Sequence, residues 1–142
     1  MHEITIKHNF ETAHRLPHLP GKCQSLHGHS WWCHVTVTGP ELIAGTLVEF
    51  GAFKAGLREW IDRELDHGTM LGPGDPLAPL LLANGCKVHE VPGWPTVENV
   101  AVMIAKVAAD ELGRLVHAPG CQVTRVRVTE THVNEAAWLA VR

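Results

Sequence analysis

The segment Gly28-His-Ser-Trp-Trp-Cys-His-Val-Thr-Val-Thr38 decides the fold class of this chain. It is rich in β-branched and aromatic residues, which favour the pleated, half-buried surface of a strand, so residues 28–38 predict a long strand. Upstream, residues 2–14 alternate between apolar and polar side chains and predict another half-buried strand. Residues 15–26 hold two prolines and a glycine and predict a loop. The two strands are therefore expected to be neighbours in one sheet.

The hydrophobic period changes to that of a helix in two places. Apolar residues from Phe53 to Leu65 recur at helical spacing, which predicts an amphipathic helix over residues 52–65. A second helix is predicted to begin after Thr96, whose hydroxyl can cap the first turn, and to end at Gly113.

Shorter elements complete the α+β fold class. The pattern predicts a third strand over Thr46–Phe50 that hairpins back on the second, and a helical turn over Leu80–Ala83. It also predicts a short strand over Lys87–Val91 and two closing strands over residues 122–131 and 136–141. The element order is then β-β-β-α-(β)-α-β-β. Such an order predicts an antiparallel sheet that carries two helices on one face.

The composition indicates one globular domain over residues 1–142. Apolar residues make up 45% of the chain and charged residues 19%, which is ordinary for a globular protein. The net charge is −3 with His neutral, and Lys and Arg form no dense cluster, so nucleic acid is not an expected partner. No apolar run approaches the roughly 20 residues that span a bilayer, so no membrane association is expected.

The cysteines indicate a reducing compartment. Cys23, Cys33, Cys86 and Cys121 form no CxxC pair, and charges are spread through residues 1–14, unlike a secretory leader. Reduced thiols in a cytoplasmic protein are therefore expected. Cys23 differs from the other three because two histidines follow it closely.

The stretch Cys23-Gln-Ser-Leu-His27-Gly-His29 predicts a metal site. Side chains at i and i+2 of a strand lie on the same face about 7 Å apart, so both imidazoles can converge on one cation. His14, at the end of the first predicted strand, supplies a third imidazole. Three neutral imidazoles with one open position are the donor set of a catalytic zinc site, which makes Zn²⁺ the predicted cofactor. The alternative is a set of scattered histidines that bind nothing.

Cys23 has two functional interpretations. As a fourth ligand it would close a structural metal site. As a free thiol beside a cation, with Lys22 or Arg15 near it, it could act as a base. An inert loop cysteine is the remaining alternative. A domain with two long helices does not need a structural metal, so the free thiol is favoured.

Two further positions carry candidate chemistry. Asp66-His67 follows the first predicted helix, and an imidazole next to a carboxylate can exchange protons with a thiolate, although the pair can equally be a helix end. Glu130 shares strand parity with Val126 and Val128, and a carboxylate on an apolar face needs a partner. The carboxylate could accept hydrogen bonds from the N–H edge of a planar ring. The alternative is a bulge that exposes Glu130 to solvent.

Together these segments resemble the 6-pyruvoyl-tetrahydropterin synthase and 6-carboxy-tetrahydropterin synthase family, nearly from end to end. The resemblance is carried, in order, by Phe10-x-x-Ala13-His14, Cys23-x-x-x-His27-Gly28-His29, Leu65-Asp66-His67, Pro95-Thr96-x-Glu98-Asn99 and Val128-x-Glu130-Thr131. It implies the tunnelling fold (T-fold), with a four-stranded antiparallel sheet and two long helices packed on one face. It also implies a homohexamer with active sites at subunit interfaces.

The resemblance also implies roles for single residues. The implied zinc ligands are His14, His27 and His29. The implied general base is Cys23, with His67 and Asp66 as its relay partners. The implied anchor of the pterin ring is Glu130. Substrate binding is implied for Thr96 and Glu98, and Lys22 and Arg15 are the expected triphosphate contacts.

The gap between Cys23 and His27 favours one reaction within the family. Its three residues are similar to the carboxy-tetrahydropterin synthases of 7-deazaguanine (queuosine-type) biosynthesis, whereas the pyruvoyl enzymes have a longer gap. The resemblance therefore implies a zinc-dependent lyase that converts the small molecule 7,8-dihydroneopterin triphosphate to 6-carboxy-5,6,7,8-tetrahydropterin, acetaldehyde and triphosphate. A 6-pyruvoyl-tetrahydropterin synthase and a non-catalytic zinc domain are the alternatives. Trp31-Trp32 and the proline-rich region 70–95 depart from the family pattern.

Overall fold

One six-stranded sheet organises residues 1–141, the part of the chain that the computed structural model describes. Along the chain the elements are β1 (His2–His14), β2 (His27–Gly39), α1 (Phe50–Glu64), β3 (Gly68–Leu71), α2 (Leu77–Ala83), β4 (Val88–Glu90), α3 (Val97–Gly113), β5 (Gln122–Thr129) and β6 (Glu135–Leu139). A 3₁₀ turn at Lys22–Gln24 interrupts the loop between β1 and β2.

The sheet is larger than the predicted four strands and is not wholly antiparallel. Its strand order is β4-β3-β1-β2-β5-β6. The pairs β1–β2, β2–β5 and β5–β6 are antiparallel, whereas β3 lies parallel to β1 and β4 lies parallel to β3. The connection from β3 to β4 contains α2, which agrees with the general need of parallel strands for a crossover. The expectation of a four-stranded antiparallel sheet was therefore wrong at this edge.

The strand predicted at Thr46–Phe50 is not formed. Thr46 closes a tight turn on Ile43 through two backbone hydrogen bonds of 2.9 Å, with Gly45 in the left-handed region at φ 81°. The helix then starts earlier than predicted because the Glu49 carboxylate accepts hydrogen bonds from the first backbone N–H groups of α1. The apolar residues that suggested a strand, Leu47 and Val48, follow this turn and are buried in the core, where Val48 forms a single β-bridge with His117.

The two long predicted helices are confirmed, and both pack into the core on one face of the sheet. Their buried residues join strand residues in a single hydrophobic cluster. A third helix, α2, extends the predicted turn at Leu80–Ala83; it has no buried residue and therefore no amphipathic period by which to recognise it. None of the helices in residues 1–141 is long and apolar enough to cross a membrane.

The register of β1 and β2 places His14 beside His27 and His29, at one end of the two strands. The pairing runs from His2 opposite Gly39 to His14 opposite His27. Phe10 and Trp31 face each other in this ladder, are fully buried and stack with ring centroids 5.9 Å apart. Trp31 also contacts the rings of His14 and His29, so this buried pair supports the strand ends that carry the histidines.

Candidate metal centre

Three imidazoles converge where β1 ends and β2 begins. His14 lies opposite His27 in the ladder, and His29 follows two residues later on the same face. The ring centroids are 4.7 Å apart for His14 and His27, 5.1 Å for His14 and His29, and 4.8 Å for His27 and His29. One ligand atom from each residue lies within 4.8 Å of the other two. The structure thus brings together the three histidines that the sequence singled out.

Backbone carbonyl groups orient two of the rings. The Nδ1 atom of His14 lies 2.8 Å from the carbonyl oxygen of Pro95, and that of His27 lies 2.6 Å from the carbonyl oxygen of Ser25. Because a carbonyl oxygen only accepts hydrogen bonds, each Nδ1 carries the proton and each Nε2 keeps a free lone pair. This tautomer is the one that a metal-binding histidine needs.

Two of the imidazole nitrogens in this group are buried and lack a hydrogen-bond partner in the protein. Within residues 1–141, the buried side-chain nitrogen and oxygen atoms that lack a hydrogen-bond partner are Nε2 of His14 and Nε2 of His29. Leaving a buried polar atom unpaired costs free energy, so such atoms call for an explanation. A cation held between the rings would satisfy both nitrogens, and three imidazole nitrogens are a donor set that suits zinc.

Burial favours the neutral form of the His14 and His29 imidazoles. It is the main reason that the pKa of His14 is lowered from 6.5 to about 4; the charges of His27 and His29 lower it further, against the opposing effect of the Pro95 hydrogen bond. Burial also lowers the pKa of His29, partly offset by the nearby Glu130 carboxylate. Neutral imidazoles are available as ligands at neutral pH, so no proton needs to be displaced from His14 or His29.

Metal-free protein is expected to lose stability as the pH falls from about 6.5 towards about 4. In this window His14 is protonated in the unfolded chain but not in the folded chain, so the free energy of unfolding increases with pH. The contribution of His14 reaches its full value above about pH 6.5. The shift corresponds to up to about 3 kcal/mol from this residue. Urea unfolding of the metal-free protein at about pH 7 and about pH 5 measures the difference. His14→Gln should show a weaker pH dependence, and an equal dependence in both proteins would refute the explanation.

Trp31, which the sequence marked only as a departure from the family pattern, is a direct neighbour of the three histidines. Its ring meets those of His14 and His29 edge to face, with centroid distances of 4.9 Å and 5.7 Å, and its indole N–H donates to the carbonyl oxygen of Thr12 at 2.9 Å. Its position two residues after His29 on the same strand was a usable signal. The carbonyl groups of Pro95 and Ser25 had no such signal, because a backbone acceptor has no residue type.

Glu130 directly follows β5, and its half-buried side chain lies near the three histidines and is not fully exposed. Its side chain is 15% exposed, and Oε2 lies 3.6 Å from Nε2 of His14 and 3.8 Å from Nε2 of His29. The carboxylate also lines an open cleft of about 490 Å³, together with His29, Ser30, Trp32, Thr129, Thr131 and His132. A molecule in this cleft would therefore touch both the carboxylate and one of the three histidines.

Cys23 is close in sequence to the three histidines but does not join their group. It lies in the 3₁₀ turn, is half-buried, and its carbonyl oxygen accepts a hydrogen bond of 2.7 Å from the backbone N–H of Leu16. In residues 1–141 the group able to hold a metal consists of His14, His27 and His29. The thiol is thus left free, and a closed four-ligand site with Cys23 has no support in this geometry.

Asp66 and His67 form a hydrogen-bonded pair at the start of β3. The carboxylate of Asp66 accepts hydrogen bonds from the backbone N–H of Glu11 and from Nδ1 of His67, both at 2.8 Å. Burial alone would raise the pKa of Asp66, but these hydrogen bonds, together with the charges of His67 and Lys87, lower it below its usual value. The His67 side chain is 78% exposed. Among the hydrogen bonds of residues 1–141, none joins His67 to the thiol of Cys23.

The residues expected to contact substrate occupy different structural positions. Lys22 is exposed beside Cys23, and Glu98 is exposed in the first turn of α3. The hydroxyl of Thr96 caps the same helix by accepting a hydrogen bond of 3.2 Å from the backbone N–H of Asn99. Arg15 instead forms an ion pair with Asp75, a buried residue that the sequence did not single out.

Comparison with known sequences gives a consistent result. The sequence model of a family described as 6-pyruvoyl tetrahydropterin synthase matches residues 3–139. A Rickettsia bellii protein named 6-carboxy-5,6,7,8-tetrahydropterin synthase is 28% identical over 134 residues, covering 92% of this chain and 95% of the relative. A Synechocystis protein of the same name is 34% identical over 103 residues, covering 67% of this chain and 80% of the relative.

Solved structures share the fold. An uncharacterised protein from Wolinella succinogenes matches with a TM-score of 0.81 at 20% identity, covering 97% of both chains. The 6-pyruvoyl tetrahydropterin synthase of Caenorhabditis elegans matches with a TM-score of 0.65 at 22% identity, covering 99% of this chain and 98% of that one. At these identities the likeness concerns the arrangement of the elements.

Proposed function

This chain belongs to the 6-pyruvoyl tetrahydropterin synthase family, and from that premise we propose that it is a zinc-dependent lyase. The proposed reaction converts 7,8-dihydroneopterin triphosphate and water to 6-carboxy-5,6,7,8-tetrahydropterin, acetaldehyde and triphosphate. The observation that carries the proposal is the group of three imidazoles, two of which have a buried Nε2 without a partner. The names of the Rickettsia bellii and Synechocystis relatives support the choice of product.

His14, His27 and His29 would hold the zinc ion. When bound, zinc supplies Lewis-acid chemistry that polarises oxygen atoms of the substrate side chain and so acidifies the adjacent C–H and O–H bonds. The carbonyl groups of Pro95 and Ser25 keep Nε2 of His14 and His27 unprotonated.

The thiol of Cys23 is the proposed general base. It is free of the metal-ligand group yet lies only four residues before His27 in the loop that leads into β2. A side chain in this position can take a proton from the substrate side chain, and His67, oriented by Asp66, can pass protons on. The exposure of His67 supports a relay that is completed by a neighbouring subunit.

Glu130 is the proposed anchor for the pterin ring. An ionised carboxylate accepts two parallel hydrogen bonds, which matches the adjacent N–H groups on the pyrimidine edge of a pterin. Because the same carboxylate lies 3.6 Å from Nε2 of His14, a ring held by Glu130 has its side chain near the metal ligands. Thr96 and Glu98, at the start of α3, are proposed to contribute to substrate binding.

A 6-pyruvoyl-tetrahydropterin synthase is the second candidate function. The family description and the name of the Caenorhabditis elegans structure favour it, because both specify the pyruvoyl reaction. That reaction would use the same residues and stop after triphosphate elimination and internal redox. The three-residue gap between Cys23 and His27 favours the carboxy product.

One experiment tests the proposed function. The purified protein is incubated with 7,8-dihydroneopterin triphosphate, the products are identified by mass spectrometry, and the metal-to-protomer ratio is measured on the same sample. We expect one zinc per protomer and 6-carboxy-tetrahydropterin with acetaldehyde. A pyruvoyl product would support the second candidate, and absence of both products from a zinc-loaded protein would refute the proposed function.

We also propose a homohexamer whose active sites lie at subunit interfaces, acting in 7-deazaguanine biosynthesis in the cytoplasm. Mixed oligomers test the interface. If Cys23 and His67 act together from different subunits, Cys23→Ala and His67→Ala protomers, each inactive alone, should regain activity when co-expressed. Random mixing of equal amounts restores about a quarter of the sites. Activity of the separated and the mixed proteins is compared, and an inactive mixed hexamer would show that one subunit supplies both groups.

A further inference from the structure

A buried ion pair lies next to the candidate site and has no role in the chemistry proposed above. Nε of Arg15 donates to Oδ2 of Asp75 at 2.8 Å, and Nη2 donates to Oδ1 at 2.5 Å. The Asp75 side chain is 0% exposed and that of Arg15 is 19% exposed. Two parallel hydrogen bonds between a guanidinium and a carboxylate fix geometry as well as adding energy. The hydrogen bonds from Arg15 are the main reason that the pKa of Asp75 is lowered.

The Asp75 end of the pair is held by its own segment. Its backbone N–H donates to the carbonyl oxygen of Gly72 at 3.2 Å, and its Oδ1 accepts a hydrogen bond of 2.9 Å from the backbone N–H of Leu77, where α2 begins. The carboxylate is therefore a fixed point to which Arg15 is attached.

The Arg15 end connects this fixed point to the loop between β1 and β2, which carries Cys23. Arg15 directly follows the metal-ligand candidate His14, and the next residue, Leu16, is buried at 7% exposure. The backbone N–H of Leu16 donates to the carbonyl oxygen of Cys23 at 2.7 Å. A short path of one ion pair, one peptide unit and one hydrogen bond therefore leads from Asp75 to the residue that carries the free thiol.

We propose that Asp75 is a positioning residue, whose ion pair with Arg15 sets the place of Cys23 relative to the imidazole of His14. Arg15 then serves this pair and is not a contact for the triphosphate of the substrate, since two of its three guanidinium nitrogens already bind Asp75. The catalytic meaning of the proposal rests on the proposed function, but the structural coupling does not.

Asp75→Asn and Arg15→Gln in the zinc-loaded full chain test the coupling. Hydrogen exchange at the Leu16 amide reports the bond to Cys23 directly. Loss of a hydrogen bond to a charged group should speed this exchange by about 10- to 100-fold in either variant, and the double variant should be no worse than the single ones because the pair acts as one unit. We also expect kcat to fall by at least about tenfold with KM nearly unchanged, because positioning of the base acts on the chemical step.

Two controls separate positioning from general stability. Glu59→Gln removes one partner of the exposed Arg63–Glu59 pair on α1, 3.7 Å apart, and should change neither readout. Arg15→Lys keeps a charge opposite Asp75, so it should fold even if Asp75→Asn does not, and it should show a smaller effect than Arg15→Gln.

The proposal would be overturned by either of two results. One is an unchanged Leu16 exchange rate and kcat in Asp75→Asn while Arg15→Gln raises KM, which would make Arg15 a phosphate contact. The other is a lower melting temperature in Asp75→Asn with no selective change at Leu16, which would make the pair merely structural. Hydrogen exchange at Leu16 can be measured without substrate, so it tests the structural coupling independently of the proposed function. Failure of the proposed function would appear instead as the absence of pterin products from the unmodified protein.

Discussion

Cys23→Ala is expected to retain zinc and to lose turnover. The thiol lies outside the group formed by His14, His27 and His29, so its removal leaves all three candidate ligands in place. A general base contributes about 10²- to 10⁴-fold to a rate, and kcat should fall by that factor. Steady-state kinetics with 7,8-dihydroneopterin triphosphate, together with the metal-to-protomer ratio, measures both parts of this prediction.

The matched control is Cys86→Ser, because Cys86 is an exposed free cysteine outside the candidate site. Its kcat and zinc content should equal those of the unmodified protein. If Cys23→Ala instead lost its zinc and unfolded, the thiol would be a ligand of a structural site. If it kept full turnover, another group would have to be the base.

His27→Ala is expected to abolish zinc binding at physiological zinc concentrations. His27 is half-buried, and its ring is oriented by the carbonyl oxygen of Ser25, so its removal takes one ligand away with little effect on the core. Loss of an outer-shell partner alone lowers metal affinity by 10- to 100-fold, so loss of a direct ligand should exceed about 100-fold. Turnover should then disappear unless zinc is added in large excess.

Competition with a chelator measures the zinc affinity, and thermal unfolding gives a second readout that does not depend on activity. Zinc should raise the melting temperature of the unmodified protein through its preferential binding to the folded state, and should have little effect on His27→Ala. His2→Ala, which removes an exposed histidine at the start of β1, should behave like the unmodified protein. Equal zinc affinity in all three proteins would exclude His27 as a ligand.

Residue patterns predicted the long elements well. α1 and α3 have clear apolar faces, and β1 and β2 alternate or are rich in strand-forming residues, so local sequence identifies each of them. The patterns failed for β3, because a strand of 4 residues is too short to show a period. The short strand predicted over Lys87–Val91 is confirmed as β4, Val88–Glu90, and it pairs with β3. Their parallel pairing also depends on contacts between distant segments. The four-stranded antiparallel sheet, which the family resemblance implied, was wrong because β3 and β4 extend the sheet beyond β1 as parallel strands.

The error at Thr46–Phe50 has a different cause. Leu47 and Val48 are apolar neighbours that fit a buried strand, but the tight turn at Gly45 and the Glu49 cap of α1 leave no room for one. Local propensity was overruled by the start of the helix. The same limit applies to Arg15, because its partner Asp75 lies 60 residues away and no pattern links the two.

Residue types and their spacing predicted which groups are available for chemistry: three imidazoles, a thiol, an Asp-His pair and a carboxylate. Strand periodicity places His27 and His29 on one face, which is why the pattern could predict a metal site. The orientation and support of these groups depend on the tertiary structure. The carbonyl oxygen of Pro95 meets the ring of His14 across 81 residues of sequence, and a contact of this kind is set by how the elements pack and not by residue type.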